Sequence, residues 1–276
     1  MADPIRLALV LSAGGLRGAA HVGVLRQLVR HGIPIDVLVG VSAGAVIGAY
    51  YAAVGLDLDE LIQDADTFRG HHLLTHSLAI RLPHRLGCAL HSHCGVIPDR
   101  LRELEAASFD RLHHGVRCLG IVCHDVSARQ PRYFWTGLEG GPRLPDVVKA
   151  SASIPGLFPA VCVACGGEQY RLTDGGVSDP VPLAFARHPA LGATHVIVSD
   201  CRWIGGVPAT SGTTIWVRPR MADTGTLWSP RRGLLSAVRN GEAAVTEPIL
   251  ARIREWLTPD ARQTASLATP AGAFSP

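Results

Sequence analysis

The feature that most constrains the fold is a G-x-S-x-G motif, Gly40-Val41-Ser42-Ala43-Gly44, placed between a strand and a helix. An apolar run precedes it from residue 35, and a helix rich in Ala and Gly follows it to residue 54. A serine on a sharp strand-to-helix turn needs small residues two positions to either side, because larger side chains clash with the turn's own backbone. Gly and Ser also occur in ordinary turns, so the position of the motif between a strand and a helix is the more specific signal. It predicts a nucleophile elbow at Ser42, with Gly40, Ala43 and Gly44 shaping the turn.

The first 70 residues alternate strands and helices, a pattern typical of a parallel sheet covered by helices. It predicts strands at 5–12 and 35–41 and helices at 19–31, 43–54 and 57–67, the last beginning at a capping box. Parallel strands end at the same edge of a sheet, so the turn at Gly14-Gly15 and Ser42 are expected to emerge close together. The fold class is α/β.

The rest of the chain continues this pattern. We predict strands at 116–125, 133–136, 194–200 and 214–217, and helices at 97–107, 147–153 and 233–257, the last broken near Pro248. Residues 70–98 look irregular, and two interpretations stay open: a mobile or membrane-facing segment that covers the site, or a plain connection. We expect one domain over residues 1–258 and a disordered tail over 259–276.

Composition narrows the compartment and the partners. No apolar stretch reaches the roughly 18 residues of a membrane span, and the N-terminus lacks the basic region of a secretory signal. We therefore expect a cytoplasmic protein, with peripheral contact at the inner face of the membrane as an open alternative. The net charge of +3 is mild and scattered, which argues against nucleic-acid binding. The sequence does not determine the oligomeric state.

The cysteines and histidines do not form a recognisable metal site. Cys162 and Cys165 have C-x-x-C spacing, but no second pair follows at zinc-ribbon distance. The run from His91 to Cys94 has no carboxylate or further ligand close in sequence. We expect small buried cysteines in a reducing compartment, no cofactor and no metal.

A serine hydroxyl is a poor nucleophile until a base removes its proton, and histidine is the usual base. His188 and His195 lie just before or at the start of the strand at 194–200, at the edge opposite Ser42, which argues against a Ser-His-Asp triad. Asp174 precedes Gly175 and Gly176 at a strand end, where a tight turn presents a carboxylate, although an ordinary Asx-turn has the same pattern. Asp125 and Asp200 also follow predicted strands and stay open as alternatives.

A second glycine-rich turn offers hydrogen-bond donors for an oxyanion. Gly14, Gly15, Leu16, Arg17 and Gly18 present successive backbone N–H groups at the start of a helix, whose dipole favours negative charge. Arg17 is a candidate anchor for this loop. The alternative, a phosphate-binding loop, is disfavoured because both G-x-G-x-x-G and the Gly-Lys-Ser/Thr of a P-loop are missing.

Four blocks, in order, resemble the patatin-like phospholipase family over about residues 5–200. They are Ala13–Gly18 with His21 and Gly23, Gly40–Gly44, Ala150–Pro159, and Asp174-Gly175-Gly176. The resemblance implies a three-layer α/β/α sandwich with a mainly parallel central sheet, and hydrolysis of a lipid or acyl ester without metal. It implies Ser42 as nucleophile, Asp174 as general base and the Gly14–Gly18 loop as oxyanion hole.

One position departs from the family pattern, and two other functions stay open. Family members usually have three glycines where this chain has Ala13-Gly14-Gly15. Alanine restricts φ, so we expect a shifted loop and a lowered rate. The alternatives are a catalytically weak lipid-binding or regulatory protein on the same fold, and an acyltransferase that uses the same two residues. The motifs do not determine head group, chain length or positional preference, and residues 201–276 carry no family motif.

Overall fold

The structure, a computed structural model, describes residues 5–91, 96–206, 210–228 and 233–258. The predicted tail at 259–276 lies outside the described residues, and so do His93 and Cys94.

A mainly parallel sheet of eight strands forms the centre of the described part of the chain. Its strands are β1 (Leu7–Leu11), β2 (Val37–Val41), β3 (Cys118–Asp125), β4 (Gln130–Trp135), β5 (Val161–Cys165), β6 (Glu168–Asp174), β7 (His195–Ser199) and β8 (Thr214–Val217). The parallel strands lie in the order β3-β2-β1-β7-β8, while β4 and the β5–β6 hairpin pair antiparallel. Every residue of β1, β2 and β7 is buried, as expected for strands that are covered on both faces.

Helices cover both faces of the sheet. They are α1 (Ala20–Arg30), α2 (Ala43–Ala49), α3 (Leu58–Thr67), α4 (Gly70–Ala79), α5 (His84–His91), α6 (Val96–Glu105), α7 (Leu144–Ser151), α8 (Leu183–Ala186), α9 (Gly233–Ala244) and α10 (Glu247–Leu257). Alternate residues of β1 belong to two separate apolar clusters, Leu7 and Leu9 to the larger and Ala8 and Val10 to the smaller. Because alternate side chains of a strand point to opposite faces, this separation confirms the predicted three-layer α/β/α sandwich.

Most predicted elements are present, and one segment differs. Asp57 and Glu60 form the capping box that begins α3, and α9 and α10 are separate helices with Pro248 in the first turn of α10. The expectation of irregular structure at 70–98 is wrong, because most of its described residues lie in α4, α5 and α6. The α4 sequence is apolar on more than one side, so it lacks the polar–apolar period that identifies a surface helix.

β3 positions the functional site because the ends of two strands meet along it. Val41, the last residue of β2, pairs with Val122, and Asp174, the last residue of β6, pairs with Cys123. β2 runs parallel to β3 and β6 runs antiparallel, so the two strands approach the same point from opposite directions. A Cβ built on Gly175 would overlap the Val122 carbonyl and would lie 2.9 Å from the Val41 side chain, so β6 ends on the β2 side of β3.

The C-terminal helices belong to the same packed body as the sheet. A Cβ at Gly23 of α1 would overlap the backbone of Val238 in α9, and one at Gly241 would overlap Ala20. These glycines let α1 and α9 approach at backbone distance. None of the helices that the structure describes has the length and apolar character needed to cross a bilayer.

Candidate active site

Ser42 lies on a strained turn between β2 and α2. Its φ of 56° and ψ of −122° are angles that L-residues rarely adopt, and such a conformation costs about 1–3 kcal/mol. A Cβ at Gly40 would overlap the Gly44 carbonyl, and one at Gly44 would overlap the Leu11 carbonyl. The packing of the turn therefore requires both motif glycines. The turn lies between β2 and α2, as the sequence predicted.

A buried serine from α7 supports this turn. The backbone N–H of Ser42 donates to Ser151 Oγ at 2.9 Å, and Ser151 Oγ donates to the Val122 carbonyl at 2.6 Å. The elbow is thus fixed to β3 through one hydroxyl group. Sequence analysis gave Ser151 no role. The only sequence feature that pointed to Ser151 was its position in the Ala150–Pro159 block that resembles the family.

Ser42 and Asp174 are in direct contact. Ser42 Oγ donates to Asp174 Oδ2 at 2.6 Å, and the Gly176 N–H donates to Asp174 Oδ1 at 2.8 Å. Both side chains are buried. Burial raises the pKa of Asp174, while the hydrogen bonds from Ser42 and Gly176 act to lower it. One carboxylate oxygen is therefore held on the serine and the other on the turn.

The other candidate bases are occupied elsewhere. Asp125 accepts from the Ser127 and Ala128 amides and from Arg132 Nε at 3.1 Å. Asp200 is paired with Arg202 at 2.9 and 3.0 Å.

The two histidines considered as bases lie away from the serine. His195 pairs with Leu7 at the start of β1, the sheet edge opposite Ser42, and His188 packs beside Trp135. Of the carboxylates and histidines weighed from the sequence, the structure brings Asp174 to Ser42.

The glycine loop offers fewer free amides than its sequence suggested. The Leu16 N–H donates to the Thr226 carbonyl at 2.8 Å, and the Arg17 N–H donates to the Gly14 carbonyl at 3.2 Å. The prediction that the Leu16 and Arg17 amides are oxyanion donors is therefore wrong, because backbone carbonyls already accept hydrogen bonds from both amides. Within the described chain, the amides of Gly14 and Gly15 have no hydrogen-bond partner, and Gly15 also lines the cavity beside Ser42.

Arg17 anchors the loop through its side chain. Its Nε donates to the Cys201 carbonyl at 3.0 Å, and its Nη1 donates to the carbonyls of Met221 at 3.0 Å and Thr224 at 2.8 Å. The guanidinium also lies 4.9 Å from the ring centre of Trp203. One buried cation therefore joins the glycine loop to the 201–206 and 221–228 loops, which sequence analysis left without a role.

Gly18 has a steric task. A Cβ on Gly18 would overlap the Cβ of Ala43. A glycine here lets the loop pack directly against the first residue of α2.

His21 is buried beneath the glycine loop and is neutral. Its Nε2 lies 3.0 Å from the Ser12 carbonyl, and its Nδ1 lies 2.7 Å from Ser199 Oγ. A carbonyl only accepts, so Nε2 carries the proton and Nδ1 accepts from the Ser199 hydroxyl. Burial lowers the pKa of His21 to about 4, which keeps the ring uncharged.

Ala13 occupies the loop without a left-handed backbone angle. Its N–H donates to the Pro180 carbonyl at 2.9 Å. The left-handed position of the loop is Gly15, with φ 56°, where a Cβ would overlap Thr226. The departure from three glycines therefore falls where a glycine is not required.

A cavity of about 580 Å³ opens beside Ser42 and Gly15. Its volume is within the range of ligand pockets. Apolar side chains make up most of its wall, among them Val46, Ile47, Leu73, Leu104, Ile154 and Phe158. Three helices, α4, α5 and α6, form one side, and we call them the cover. This placement favours the covering segment over the plain connection.

Two polar pairs interrupt the apolar wall of the cavity. Arg100 binds both oxygens of Asp64, at 2.7 and 3.1 Å. His76 Nδ1 lies 2.8 Å from His91 Nε2, with the rings stacked. Among the described residues, neither pair belongs to a group of three or more His, Cys, Asp or Glu side chains that could hold a metal ion.

Comparisons with known proteins agree with the fold and motifs. The family model described as patatin-like phospholipase matches residues 9–187. A patatin-like phospholipase domain-containing protein of Caenorhabditis elegans is 32% identical over 206 residues, which cover 74% of this chain and 14% of that protein. The lysophospholipase NTE1 of Coccidioides immitis (strain RS) is 31% identical over 199 residues, which cover 70% of this chain and 11% of the fungal protein. The chain thus matches only a small part of either relative's length.

A solved structure shows the same fold. The crystal structure of VipD from Legionella pneumophila aligns with a TM-score of 0.55 and 13% identity, over 92% of this chain and 68% of VipD. At this identity the likeness is one of fold alone.

Proposed function

This chain belongs to the patatin-like phospholipase family, and from that premise we propose that it hydrolyses carboxylic esters of lipids with Ser42 and Asp174. The observation that carries the proposal is the 2.6 Å hydrogen bond from Ser42 Oγ to the buried Asp174, at the opening of an apolar cavity. The hydroxyl is already in contact with the group that would take its proton, and the neighbouring space suits an acyl chain.

The reaction runs in two halves. Ser42 Oγ attacks the ester carbonyl carbon as its proton passes to Asp174, and the amides of Gly14 and Gly15 stabilise the oxyanion. The intermediate collapses to an acyl-serine, and Asp174 gives its proton to the leaving alcohol. A water then attacks the acyl-serine as Asp174 takes its proton. Collapse releases the fatty acid, and the proton returns to Ser42.

The raised pKa of Asp174 suits this role and predicts the pH profile. A carboxylate is a weak base in water, and burial makes it stronger by disfavouring its charged form. Asp174 has to be ionised to accept a proton, so turnover should fall as pH falls through its raised pKa. The acidic limb of kcat/KM should therefore lie above the ordinary range of an aspartate.

Lipids with one acyl chain are the proposed substrate class. The cavity beside Ser42 is one continuous, mostly apolar space, and the fungal relative is named a lysophospholipase. A single-chain lipid would place its acyl chain in this space and leave its head group outside.

Hydrolysis of p-nitrophenyl esters of graded chain length, with chelator present, tests the proposal. Ser42→Ala and Asp174→Asn should each lower kcat/KM by about 10³-fold or more, as expected for members of one catalytic unit. Ser178→Ala is a matched control, because its buried hydroxyl makes no hydrogen bond in the described structure and lies four residues beyond Asp174. A fluorophosphonate probe should label wild type at Ser42. A folded wild-type protein that neither turns over esters nor reacts with the probe would refute the proposal.

A further inference from the structure

Large apolar side chains are exposed on α4 and on loops that adjoin the glycine loop and the Asp174 turn. Ile204 is 82% exposed and Trp228 is 68% exposed. We call the group they belong to the apolar rim, which consists of Leu74, Leu78, Val177, Trp203, Ile204 and Trp228. Contiguous exposed apolar patches mark sites that bind a protein partner, a ligand or a membrane.

The loops of the rim adjoin the glycine loop. The 201–206 loop is held by Arg17, whose guanidinium lies under Trp203. In the 221–228 loop, the Thr226 carbonyl accepts from Leu16 and the Trp228 carbonyl accepts from Gly225. Val177 follows the Asp174-Gly175-Gly176 turn directly.

The α4 side of the rim is joined to these loops. A Cβ at Gly70, the first residue of α4, would lie 3.2 Å from the Leu227 carbonyl and 3.3 Å from the Leu16 side chain. The rim residues therefore lie on four segments that adjoin the glycine loop, the Asp174 turn or the cavity wall, and Gly15 and Leu16 of the glycine loop line the cavity beside Ser42.

α4 is apolar on two sides. Leu73, His76 and Ile80 line the cavity, whereas Leu74 and Leu78 face away and are each more than half exposed. A helix of a water-soluble surface usually presents polar residues outward. The outer face of α4 therefore suits an apolar environment rather than bulk water.

The segments that carry most of the rim have no acidic residues. No Asp or Glu occurs from Phe68 to Pro98 or from Cys201 to Ala222. Asp200 pairs with Arg202 and Arg218, but the exposed Arg81, Arg85 and Arg220 form no ion pair within the described residues. This charge is complementary to an anionic surface.

We propose that the apolar rim docks onto an anionic lipid surface and places the opening of the cavity against it. Tryptophan and arginine are well suited to the boundary between head groups and acyl chains. A docked molecule would draw a lipid from the surface into the cavity without exposing its acyl chain to water. The inference rests on the proposed function for its purpose, and its test does not require catalysis.

The test measures vesicle binding in the Ser42→Ala background, where vesicles are not consumed. Co-sedimentation is compared for vesicles of phosphatidylcholine alone and of phosphatidylcholine mixed with phosphatidylglycerol. Binding should be stronger to the anionic mixture. The Ile204→Ser/Trp228→Ser double variant should lower the partition coefficient by at least about tenfold, because one large buried apolar side chain contributes more than the free energy of a factor of ten.

Val29→Ser is the matched control, because Val29 is 41% exposed in the last turn of α1, toward the opposite edge of the sheet. It should bind vesicles like its parent. Equal losses in the control and the rim variant would overturn the proposal, and so would unchanged binding of the rim variant or failure of the parent to bind. A rim covered instead by a second copy of the chain would give a dimer that the rim variant dissociates, with no vesicle binding, and this result would also overturn it.

Fluorophosphonate labelling separates this test from that of the proposed function. The rim variant with Ser42 intact should still be labelled, which shows that it is folded. For the protein with an intact rim, labelling of Ser42 without vesicle binding by its Ser42→Ala variant would refute docking alone, whereas vesicle binding without labelling would refute the proposed hydrolysis alone.

Discussion

The serine edge and the cover both line one cavity, but different physical requirements determine their sequences. By the serine edge we mean the Ser42 turn, the Gly14–Gly18 loop and the Asp174 turn. At this edge a Cβ on Gly40, Gly44 or Gly175 would overlap a backbone carbonyl. In the cover, Leu74, Leu78 and Leu86 are each more than half exposed.

The serine edge depends on exact backbone geometry, whereas the cover depends only on apolar composition. The edge has to hold a strained serine, a carboxylate and two amides in fixed positions, so backbone packing and hydrogen bonds determine it. The cover has to present an apolar wall, and many side chains meet that need. Substitutions should therefore be costly at the edge and milder in the cover, and three experiments test this comparison.

The largest effect is expected from Gly44→Ala in the serine edge. Its new Cβ would meet the Leu11 backbone, so the free energy of unfolding should fall by about 3 kcal/mol or more. Gly48→Ala is the matched control in the same helix, because its Cβ would lie 3.3 Å from the end of the Leu38 side chain. It should change stability by less than about 1 kcal/mol. Urea unfolding followed by circular dichroism compares the two, and equal effects would contradict the distinction.

A second, pH-dependent effect is expected from His21 under the glycine loop. Its pKa is lowered from 6.5 to about 4 by burial, so the unfolded chain takes up a proton before the folded one does. The contribution of His21 is complete above pH 6.5 and is lost as pH falls toward 4, in total roughly 3 kcal/mol.

A second test of the same pH dependence comes from His76 in the cover. Burial, followed by His91 and Lys149, also lowers the pKa of His76 to about 4. Unfolding is measured across this pH window for wild type, His21→Gln and His76→Gln. Since the folded-state pKa is lowered to about 4 for both histidines, the difference in unfolding free energy from wild type should shrink on acidification for His21→Gln and for His76→Gln alike. A pH slope that is unaltered in His21→Gln would contradict the assignment.

The smallest effect is expected from Arg100→Ala in the cover. Arg100 binds Asp64 through two hydrogen bonds, and its side chain is 18% exposed. Its loss should cost about 1–2 kcal/mol, because Asp64 is left half-buried without its partner. Arg102→Ala, two residues along the same helix, removes an ion pair of a side chain that is 78% exposed and should cost less than about 0.5 kcal/mol. A larger loss in Arg102→Ala would reverse the expected order.

Features that depend on neighbours in sequence were predicted from the residues alone. The turn at Ser42, the capping box at Asp57 and Glu60, and the break between α9 and α10 follow from backbone sterics and capping within a few residues. The parallel order of β1 and β2 follows from the β-α-β-α pattern. The helices α4 and α5 of the cover were missed, because α4 is apolar on two sides and has no amphipathic period, although α6 and a covering segment were among the expectations.

Tertiary structure alone decided which of these pieces meet. Asp125, Asp174 and Asp200 all follow predicted strands, and only the pairing of β6 with β3 brings Asp174 to the end of β2. The amides of Leu16 and Arg17 are removed from the set of donors by carbonyls that the loop meets on folding. Local sequence determines the shape of each turn because steric exclusion acts over a few bonds. The choice among equivalent carboxylates and amides depends on strand register across more than a hundred residues, and no short pattern records it.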